Sequence, residues 1–488
     1  TRSSRASEAC GLQNPRPPFL KIPLKNLSSK IHALIVIFLA KKENLRTTCF
    51  PAHRHLLYGK LILFFIKNTH AQTNFYGYQW ANCHADIEQI WITTDAAGNV
   101  YTLGNFKANI DADPGTGTTT LTSSGFEDIV LIKTSAQGNF SWAKKVGGSG
   151  IDRGDEIQIA SDGSILITGI FNGTADLNPD ATVTNYTAAG SSDIFIIKLD
   201  ASGNWLWTKT YGGTAKDEIK SCKLDALNQM YITGQFEGVT DMDPSPFSYS
   251  MNSSTGQDVF VAKLDVNGNL LFAKQIGNND AVYVSDLELN TAGDMVFCGG
   301  FRAVLDFDAN ATSFNVIASD AVDGFVCKWD NNGNFLWVKQ WDNGNYANII
   351  GDLAIDQNQH MVATTMFGGT MDGDPNSGVV TIVNTDLDWS AMSFMVKLSN
   401  TGSTDWVITS PVYNPVLRIS SNNSIFLQGN YISSSGPIDV DPGPGTYNLP
   451  SPGSIFHQLV LKLDENANFQ DVFTIGSTMY NGTNLFHE

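Results

Sequence analysis

Short apolar runs separated by turn signals recur along most of the chain. Within residues 191–213, the run DIFIIK is followed by the turn DASGN and by a second run, WLWTKTY. An aspartate that folds onto the backbone and a glycine at positive φ suit a tight hairpin, so the pattern predicts two antiparallel strands. Both faces of the first run are apolar, because Ile194 and Ile196 alternate with Phe195 and Ile197. Such a strand must be covered on both sides.

The same pattern occurs six times in one register. One landmark is a lysine that ends an apolar run and recurs at steps of 65 or 69 residues: Lys133, Lys198, Lys263, Lys328, Lys397 and Lys462. A second landmark is an aromatic residue that keeps the same step: Trp142, Trp207, Phe272, Trp337 and Trp406. A third is an acidic tetrapeptide of the form DxDP. A fixed period shared by independent landmarks is typical of a repeat architecture.

Each repeat predicts four strands, which we name a, b, c and d in chain order. In residues 155–213, two short strands precede a long link, and the DIFIIK and WLWTKTY runs supply strands c and d. One small sheet cannot cover both of its own faces, but neighbouring sheets can. A solenoid usually has shorter repeats, and a row of sandwich domains needs about 100 residues per unit. We therefore predict an all-β fold, a β-propeller of four-stranded antiparallel blades.

The number of blades stays open. A lone copy of strand d, FYGYQWAN at residues 75–82, precedes six complete units. The chain is then either six-bladed with a redundant strand, or seven-bladed with its last strands missing. The predicted boundaries are an upstream non-domain segment at 1–50, a signal peptide at 51–72, the repeat domain at 73–476 and a tail at 477–488.

The combined motif resembles the bacterial β-propeller repeat family called SBBP. The resemblance rests on D-[IV]-F-x-x-K-L-D-x-x-G-N-x-x-W-x-K, a Gly pair, Y-[IL]-T-G-x-F and DxDP, and it covers about residues 75–476. It is greatest to the secreted form found in Bacteroidota. The resemblance implies a propeller and export but no defined activity. The fifth and sixth units depart from it, since Met392 and His457 replace the aspartate that opens strand c.

Charge divides the chain into two parts. Residues 1–72 hold 12 Lys or Arg and two acids, whereas residues 73–488 hold 18 Lys or Arg and 46 acids, a net charge of −28. An acidic domain is not expected to bind nucleic acid, which a basic patch recognises. In the upstream part, the apolar LILFFI run with a basic flank and small residues after it predicts a secretory signal. We expect a secreted or cell-surface protein that is not an integral membrane protein.

The DxDP tetrapeptides are the main candidates for metal binding. Two carboxylates separated by one residue could hold a hard cation such as Ca²⁺. Aspartate also forms turns by accepting backbone N–H groups, and repetition in every unit favours this structural interpretation. The candidate residues are Asp111, Asp113, Asp176, Asp241, Asp243, Asp306, Asp308, Asp372, Asp374, Asp439 and Asp441. The Gly pairs at 147–148 and 212–213, followed by Asp155–Glu156 and Asp217–Glu218, should lie at the same end of the domain.

The remaining candidates favour structure over catalysis. We expect the strand-c lysines to be solvated or to form a salt bridge with an aspartate of a neighbouring blade, and the strand-d aromatics to pack at the outer edge. Cys298 and Cys327 lie on neighbouring predicted strands, so a disulfide is one possibility and two buried thiols are the favoured one. No HExxH, GxSxG or P-loop motif occurs. The leading hypothesis is a non-enzymatic scaffold that binds a protein or glycan; the alternative is a glycan-active hydrolase or lyase with acids at the centre.

Overall fold

The described part of the chain is built entirely from β-strands. A computed structural model describes residues 33–41, 58–67, 76–84, 87–277, 282–310, 312–319, 322–342, 348–384, 392–433, 436–450 and 453–475. All of its paired strands run antiparallel. None of the described segments is a helix that is long and apolar enough to cross a membrane.

Three strands precede the repeats and form one sheet in chain order. They are β1 (Ala33–Lys41), β2 (Tyr58–Lys67) and β3 (Tyr76–His84). The lone strand-d copy lies in β3, which pairs with β2. The predicted tail at 477–488 lies outside the described residues. Export and removal of the upstream segment stay predictions, because strand pairing in the full chain does not bear on processing.

The six repeats follow the predicted order of strands. Repeat 1 contains β4 (Ile87–Thr94), β5 (Val100–Phe106), β6 (Asn109–Asp111), β7 (Thr120–Thr122), β8 (Asp128–Thr134) and β9 (Phe140–Gly148). Repeat 2 contains β10 (Arg153–Ile159), β11 (Ile165–Phe171), β12 (Thr174–Asp176), β13 (Asn185–Thr187), β14 (Asp193–Leu199) and β15 (Trp205–Gly213). Repeat 3 contains β16 (Asp217–Leu224), β17 (Met230–Asp241), β18 (Ser250–Leu264) and β19 (Leu270–Ile276).

Repeats 4 to 6 each contain six strands, as repeats 1 and 2 do. Repeat 4 contains β20 (Val282–Leu289), β21 (Met295–Phe301), β22 (Val304–Asp306), β23 (Asn315–Ile317), β24 (Asp323–Trp329) and β25 (Phe335–Trp341). Repeat 5 contains β26 (Asp352–Ile355), β27 (Met361–Met366), β28 (Gly369–Asp372), β29 (Thr381–Asn384), β30 (Ser393–Leu398) and β31 (Thr404–Ser410). Repeat 6 contains β32 (Tyr413–Ile419), β33 (Ile425–Ser433), β34 (Ile438–Asp439), β35 (Asn448–Leu449), β36 (Gly453–Leu463) and β37 (Phe469–Ile475).

Each repeat is a four-stranded sheet with a small hairpin added between strands b and c. In repeat 4, the sheet order is β20-β21-β24-β25, and β22 pairs with β23. The sequence predicted only a long link at this place. In repeat 3, strands b and c continue directly into the hairpin as β17 and β18, so no break separates them.

The hydrophobic core lies between neighbouring sheets. On strand β14, Phe195 and Ile197 pack in a cluster with repeat 1, whereas Ile194 and Ile196 pack in a cluster with repeat 3. Similar clusters join repeats 3 and 4, 4 and 5, and 5 and 6. Full burial of each such side chain stabilises the fold by about 1.5–3 kcal/mol. The double apolar face therefore holds one repeat to both of its neighbours, as the sequence predicts.

The first strands of the repeats lie along an inner line. Strands β4, β10, β16, β20, β26 and β32 contact one another in that order. Arg418 on β32 of repeat 6 also interacts electrostatically with Glu156 on β10 of repeat 2. A straight row could not bring these two repeats together, so the array is curled. The architecture is a β-propeller-like repeat fold.

Three cysteines in the described residues, Cys222, Cys298 and Cys327, are buried and free. Cys298 on β21 lies in the core shared with repeat 5, and Cys327 on β24 lies in the core shared with repeat 3. Because the two thiols point to opposite faces of one sheet, the disulfide that the sequence allowed does not form. The alternative prediction of small buried apolar residues describes them.

Candidate functional site

The DxDP aspartates lie in the hairpins between strands b and c and accept hydrogen bonds from the backbone. In repeat 3, Asp241 Oδ1 accepts the amide N–H of Asp243 at 3.0 Å and that of Tyr249 at 2.8 Å. The same two bonds, to residues two and eight positions downstream, form at Asp111, Asp176, Asp306, Asp372 and Asp439. This aspartate therefore closes the hairpin in every repeat.

The second aspartate of the motif closes a smaller turn. Its Oδ1 accepts the amide N–H two residues downstream at Asp113, Asp243, Asp308, Asp374 and Asp441. In the described part of the chain, no group of three or more His, Cys, Asp or Glu is arranged to hold a metal ion. The hydrogen bonds support the turn-forming interpretation of these eleven aspartates. Binding of Ca²⁺ to them stays a prediction.

The Gly pairs meet the DxDP hairpin of the next repeat. Gly147 and Gly148 at the end of β9 pair with β12, and Gly212 and Gly213 at the end of β15 pair with β17. A Cβ on Gly213 would lie 1.8 Å from the carbonyl oxygen of Val239, which leaves no room for a side chain. The two loop types thus share one end of the domain, as the sequence predicts.

One of the two aspartates that bond to the Gly pairs is not the one that the sequence predicted. Asp217 Oδ2 accepts the N–H of Gly213 at 2.8 Å, and Asp152 Oδ2 accepts the N–H of Gly148 at 2.6 Å. Asp152, and not Asp155, is therefore the counterpart of Asp217. Burial raises the pKa of both Asp152 and Asp217 to about 6.

The strand-c lysines join neighbouring repeats. In repeats 1 to 5, the lysine donates its ammonium to the carbonyl of the second residue in the c–d turn of the next repeat; Lys198 reaches Val266 at 3.2 Å and Lys397 reaches Glu465 at 3.1 Å. Lys133, Lys263 and Lys328 make the equivalent bond. Lys198, Lys328 and Lys397 are buried. The expectation of a solvated strand end is therefore wrong for these three. Lys328 and Lys397 do pair with aspartates, but Asp294 and Asp356 belong to the same repeat as their lysine and not to a neighbouring one.

The strand-d aromatics pack on the same turns. The ring of Trp142 lies where a Cβ on Gly203 would fall, at 2.7 Å, and Gly203 has a φ of +88°. Trp207 contacts Gly268, and Trp337 contacts Gly402, in the same way. The glycine of the D-x-x-G-N turn thus supplies both the positive φ of the hairpin and a flat seat for an aromatic ring. This is the outer packing that the sequence predicts.

Charged side chains from five repeats converge on the inner strands. Glu156 comes from repeat 2, Lys223 from repeat 3, Asp286 and Glu288 from repeat 4, Asp352 from repeat 5 and Arg418 from repeat 6. Lys223 Nζ lies 3.3 Å from Glu156 and 3.2 Å from Glu288, and Arg418 lies 3.4 Å from Asp352. We call these six residues the central cluster.

Burial and mutual contact shift the proton affinities of the central cluster. Burial, together with the neighbouring Asp286 carboxyl, raises the pKa of Asp352 to about 8, although Arg418 opposes the shift. A hydrogen bond between the Asp286 and Asp352 side chains contributes to that rise. Burial also raises the pKa of Glu288. Burial lowers the pKa of Lys223, but the carboxylates of Glu156, Glu288 and Asp286 outweigh this effect. The pKa of Lys223 is therefore raised well above its ordinary value.

The acids of the central cluster also hold neighbouring strands together. Glu156 accepts the N–H of Cys222 at 2.5 Å, and Asp352 accepts the N–H of Leu417 at 2.7 Å. Asp286 accepts the hydroxyl of Ser221 at 3.0 Å and the N–H of Leu353 at 3.4 Å. Each acid therefore satisfies a group on the first strand of an adjacent repeat. The arrangement can fix the inner strands, and it can place a shared proton between Asp286 and Asp352.

Comparisons with known proteins give two distant relatives. No family model matches the chain. It is 27% identical over 213 residues to an uncharacterized WD repeat-containing protein of Acanthamoeba polyphaga mimivirus, covering 38% of this chain and 15% of the relative. It is 26% identical over 213 residues to the regulatory protein FlaEY of Caulobacter vibrioides, covering 42% of this chain and 21% of the relative. The chain thus spans less than a quarter of the curated relatives it matches.

The strand content of each repeat is consistent with the first relative, a WD repeat-containing protein. WD repeats form propeller blades of four strands, the unit found here in each repeat. The relationship supports a repeat protein, and membership of the SBBP family stays a prediction.

The sequence raised central acids only as a general possibility. It pointed to Glu156, but as a loop residue beside the Gly pair, and the structure places this residue in the central cluster instead. Five of the six residues, all but Asp352, lie on strands whose register is interrupted by bulges, for example between Gly154 and Glu156 and between Val284 and Asp286. Non-identical residue types occupy equivalent positions, so no motif recurs. The signal available in the sequence was a charged residue on the first strand of a repeat, where apolar and polar residues otherwise alternate.

Proposed function

We propose that this chain is an exported, non-enzymatic β-propeller that binds a protein or glycan on the surface formed by the DxDP hairpins. Loops that emerge on one face of a repeat protein often form its binding face. The observation that carries the proposal is a row of exposed apolar side chains on these hairpins.

The row occupies one register position, eight residues after the first DxDP aspartate. Tyr249, Phe314, Val380 and Tyr447 stand there in repeats 3 to 6, and they are 39–47% exposed. Repeats 1 and 2 carry Thr119 and Thr184 at the same position. Exposed apolar side chains that are grouped together are typical of interaction sites.

Two of these rings are already held in place. Phe314 packs on Phe335 with ring centroids 4.7 Å apart, and Tyr447 stacks on Phe469 at 4.8 Å. Rings that are ordered before binding lose little conformational entropy when a partner arrives. Because residues 73–488 carry a net charge of −28, a neutral or basic partner is favoured over a polyanion.

The finer features of the proposal come from the sequence. We infer an SBBP-type propeller that closes into a ring of six or seven blades and leaves the cell through a signal at residues 51–72. The recurrence of the motifs and the basic, apolar leader support these inferences. Calcium at the DxDP hairpins is a further element, supported by the paired carboxylates.

The binding proposal can be tested with a matched pair of variants. The full chain is screened against a glycan array and a panel of immobilised extracellular proteins. The triple variant Tyr249→Ser, Phe314→Ser and Tyr447→Ser should lose at least tenfold in affinity for any ligand found. The control, Thr119→Ser with Thr184→Ser, changes the same position in repeats 1 and 2 and should bind normally. Equal binding by the triple variant would refute the proposed surface.

A second candidate function is hydrolysis or elimination at a glycan. The contact between the Asp286 and Asp352 carboxyls, with a raised pKa at Asp352, is the observation that favours it. Glycosidases keep their two carboxyl groups about 5–9.5 Å apart, whereas carboxyl groups joined by a hydrogen bond are closer. Release of reducing ends from neutral polysaccharides, abolished by Asp352→Asn, would establish this function in place of the scaffold.

A further inference from the structure

Two aromatic rings on the hairpins of adjacent repeats lie flat against their outer strands. Phe314 of repeat 4 packs on Phe335 with ring centroids 4.7 Å apart and ring planes inclined by 30°. In repeat 3, the hydroxyl of Tyr249 donates to the carbonyl oxygen of Ala273 at 2.8 Å, which holds its ring along β19. Phe314 is 47% exposed and Tyr249 is 45% exposed. A ring that is covered on one face and half exposed presents its other face to solvent.

A polar bridge connects the outer strand of repeat 3 to the hairpin of repeat 4. Lys274 directly follows Ala273 on β19, and its ammonium lies 2.5 Å from Oδ1 of Asn310. Asn310 stands four positions before Phe314 in the same hairpin. A continuous line of contacts therefore runs from one ring across the bridge to the other. We call the following residues the ring junction: Tyr249, Lys274, Asn310 and Phe314.

Two other junctions between repeats have the bridge without two rings. Lys144 lies 2.6 Å from Asp180 between repeats 1 and 2, and Lys339 lies 2.6 Å from Asn376 between repeats 4 and 5. Threonine occupies the ring position in repeats 1 and 2, and Val380 occupies it in repeat 5. The bridge therefore serves the packing of several repeats, but a ring on each side of it is a special feature.

The two remaining junctions differ from the ring junction at other positions. Between repeats 2 and 3, Ser245 stands in place of Asn310, and the ring position of repeat 2 holds a threonine. Between repeats 5 and 6, Ile408 stands in place of Lys274, although Tyr447 supplies a ring in repeat 6. Within the described repeats, two rings and a bridge thus occur together only between repeats 3 and 4.

This alternation of flat apolar faces and polar groups matches the chemistry of a carbohydrate. A sugar ring has an apolar face of C–H groups, which packs on the negative face of an aromatic ring, and a rim of hydroxyls that form hydrogen bonds. The core of a protein interface is depleted of charged residues, so a lysine between the two rings suits a protein partner less well. The net charge of −28 on residues 73–488 disfavours acidic sugars.

We propose that a neutral oligosaccharide binds across the ring junction, with one sugar unit on the ring of Tyr249 and another on the ring of Phe314. Hydroxyl groups between these two units hydrogen-bond to Lys274 and Asn310. Both rings are held in place before binding, so little conformational entropy is lost when the sugar arrives. This inference rests on the proposed function, because it names the glycan as the partner class of the DxDP hairpin surface.

The test is a calorimetric titration of the full chain with manno-, xylo-, cello- and laminari-oligosaccharides of increasing length, up to the hexamer. We expect affinity for at least one series to rise with length until the oligosaccharide spans both rings. Tyr249→Ala and Phe314→Ala should each lower the affinity for the hexamer by about tenfold or more, and the rise with length should disappear. Phe314→Tyr keeps the ring and should keep the affinity.

Tyr447→Ala is the matched control, because it removes a stacked ring from a hairpin without the lysine bridge. This variant should bind the hexamer as the wild type does. Thermal unfolding of every variant shows whether the fold is retained, and Phe314→Tyr tests the ring even where an alanine variant is unstable.

Three results would overturn the inference. Oligosaccharide binding that Tyr249→Ala and Phe314→Ala leave unchanged would place the glycan elsewhere. Binding of an immobilised extracellular protein through the same two rings, with no oligosaccharide bound, would refute the glycan and leave the proposed binding surface in place. Binding of neither class of ligand would refute both the inference and the proposed function.

Discussion

At the scale of residues, the recurrent side chains are those that join one repeat to the next. The lysine of strand c reaches the following c–d turn, the aromatic residue of strand d packs on the glycine of that turn, and the Gly pair meets the following hairpin. A residue that serves a contact between repeats must recur wherever that contact recurs. The period in the sequence is therefore the period of the interfaces.

Gly213 offers a direct test of the hairpin contact. Gly213→Ala would place a Cβ 1.8 Å from the carbonyl oxygen of Val239, so the paired strands must separate. We expect a loss of about 2–4 kcal/mol in the free energy of unfolding, as for other severe overpacking. Gly351→Ala is the control, since its Cβ would meet only the Thr364 oxygen at 3.8 Å. Similar losses for both variants, measured by chemical denaturation, would contradict the contact.

Asp258 predicts a dependence of stability on pH. Burial raises the pKa of Asp258 from 3.8 to about 6. Between these two values of pH, the folded state keeps a proton that the unfolded chain has released. Its stabilising contribution is complete below about pH 4 and is lost as the pH rises through 6. Asp258→Asn should exceed the wild type by about 2–3 kcal/mol at pH 8 and match it at pH 4. Denaturant titration at the two pH values measures this, and a difference independent of pH would refute it.

The residue types in the sequence predicted the turns better than they predicted which charged side chains are buried. The D-x-x-G-N and DxDP motifs carry their own local hydrogen bonds, so their structure follows from a few adjacent positions. The burial of Lys328 and the pairing of Asp286 with Asp352 depend on residues that are distant in sequence. No local pattern contains that information.

At the scale of elements, the strands follow from hydrophobic alternation and the hairpins do not. The four strands of each repeat lie where apolar runs predict them, because each run must be covered on two faces. The added hairpins have arms of two to four residues in repeats 1, 2 and 4 to 6, too short for alternation to be visible. Their aspartates were the available signal, and these predict a turn without predicting paired arms.

Lys328 tests whether the strand-c lysines stabilise the packing of repeats. Its side chain is buried, lies 3.0 Å from Asp294 and also donates to Asn400 of the next repeat. Lys328→Met would leave the Asp294 carboxylate without its partner, and we expect a loss of about 3–5 kcal/mol. The control Lys107→Met removes an exposed ion pair with Glu88 and should cost less than about 1 kcal/mol. Equal losses in a denaturant titration would argue against the role of Lys328.

At the scale of the whole molecule, the repeats curl around one axis. The evidence is the central cluster, in which charges from repeats 2 to 6 act on one another. The shared cores alone would also permit a straight stack of sheets. The repeating sequence predicted the curled class of fold from repeat length, but it could not identify which charges meet at the centre.

The measurement that tests this claim most directly is the distance between repeats 2 and 6. Spin labels are placed on the inner strands by Gln158→Cys and Val416→Cys, in a chain whose Cys10, Cys49 and Cys83 are replaced by serine. The remaining cysteines are buried. The curled arrangement predicts a separation below about 20 Å, because charges on these strands interact within about one Debye length. A straight stack of sheets about 10 Å apart would give about 40 Å, and that result would contradict the account.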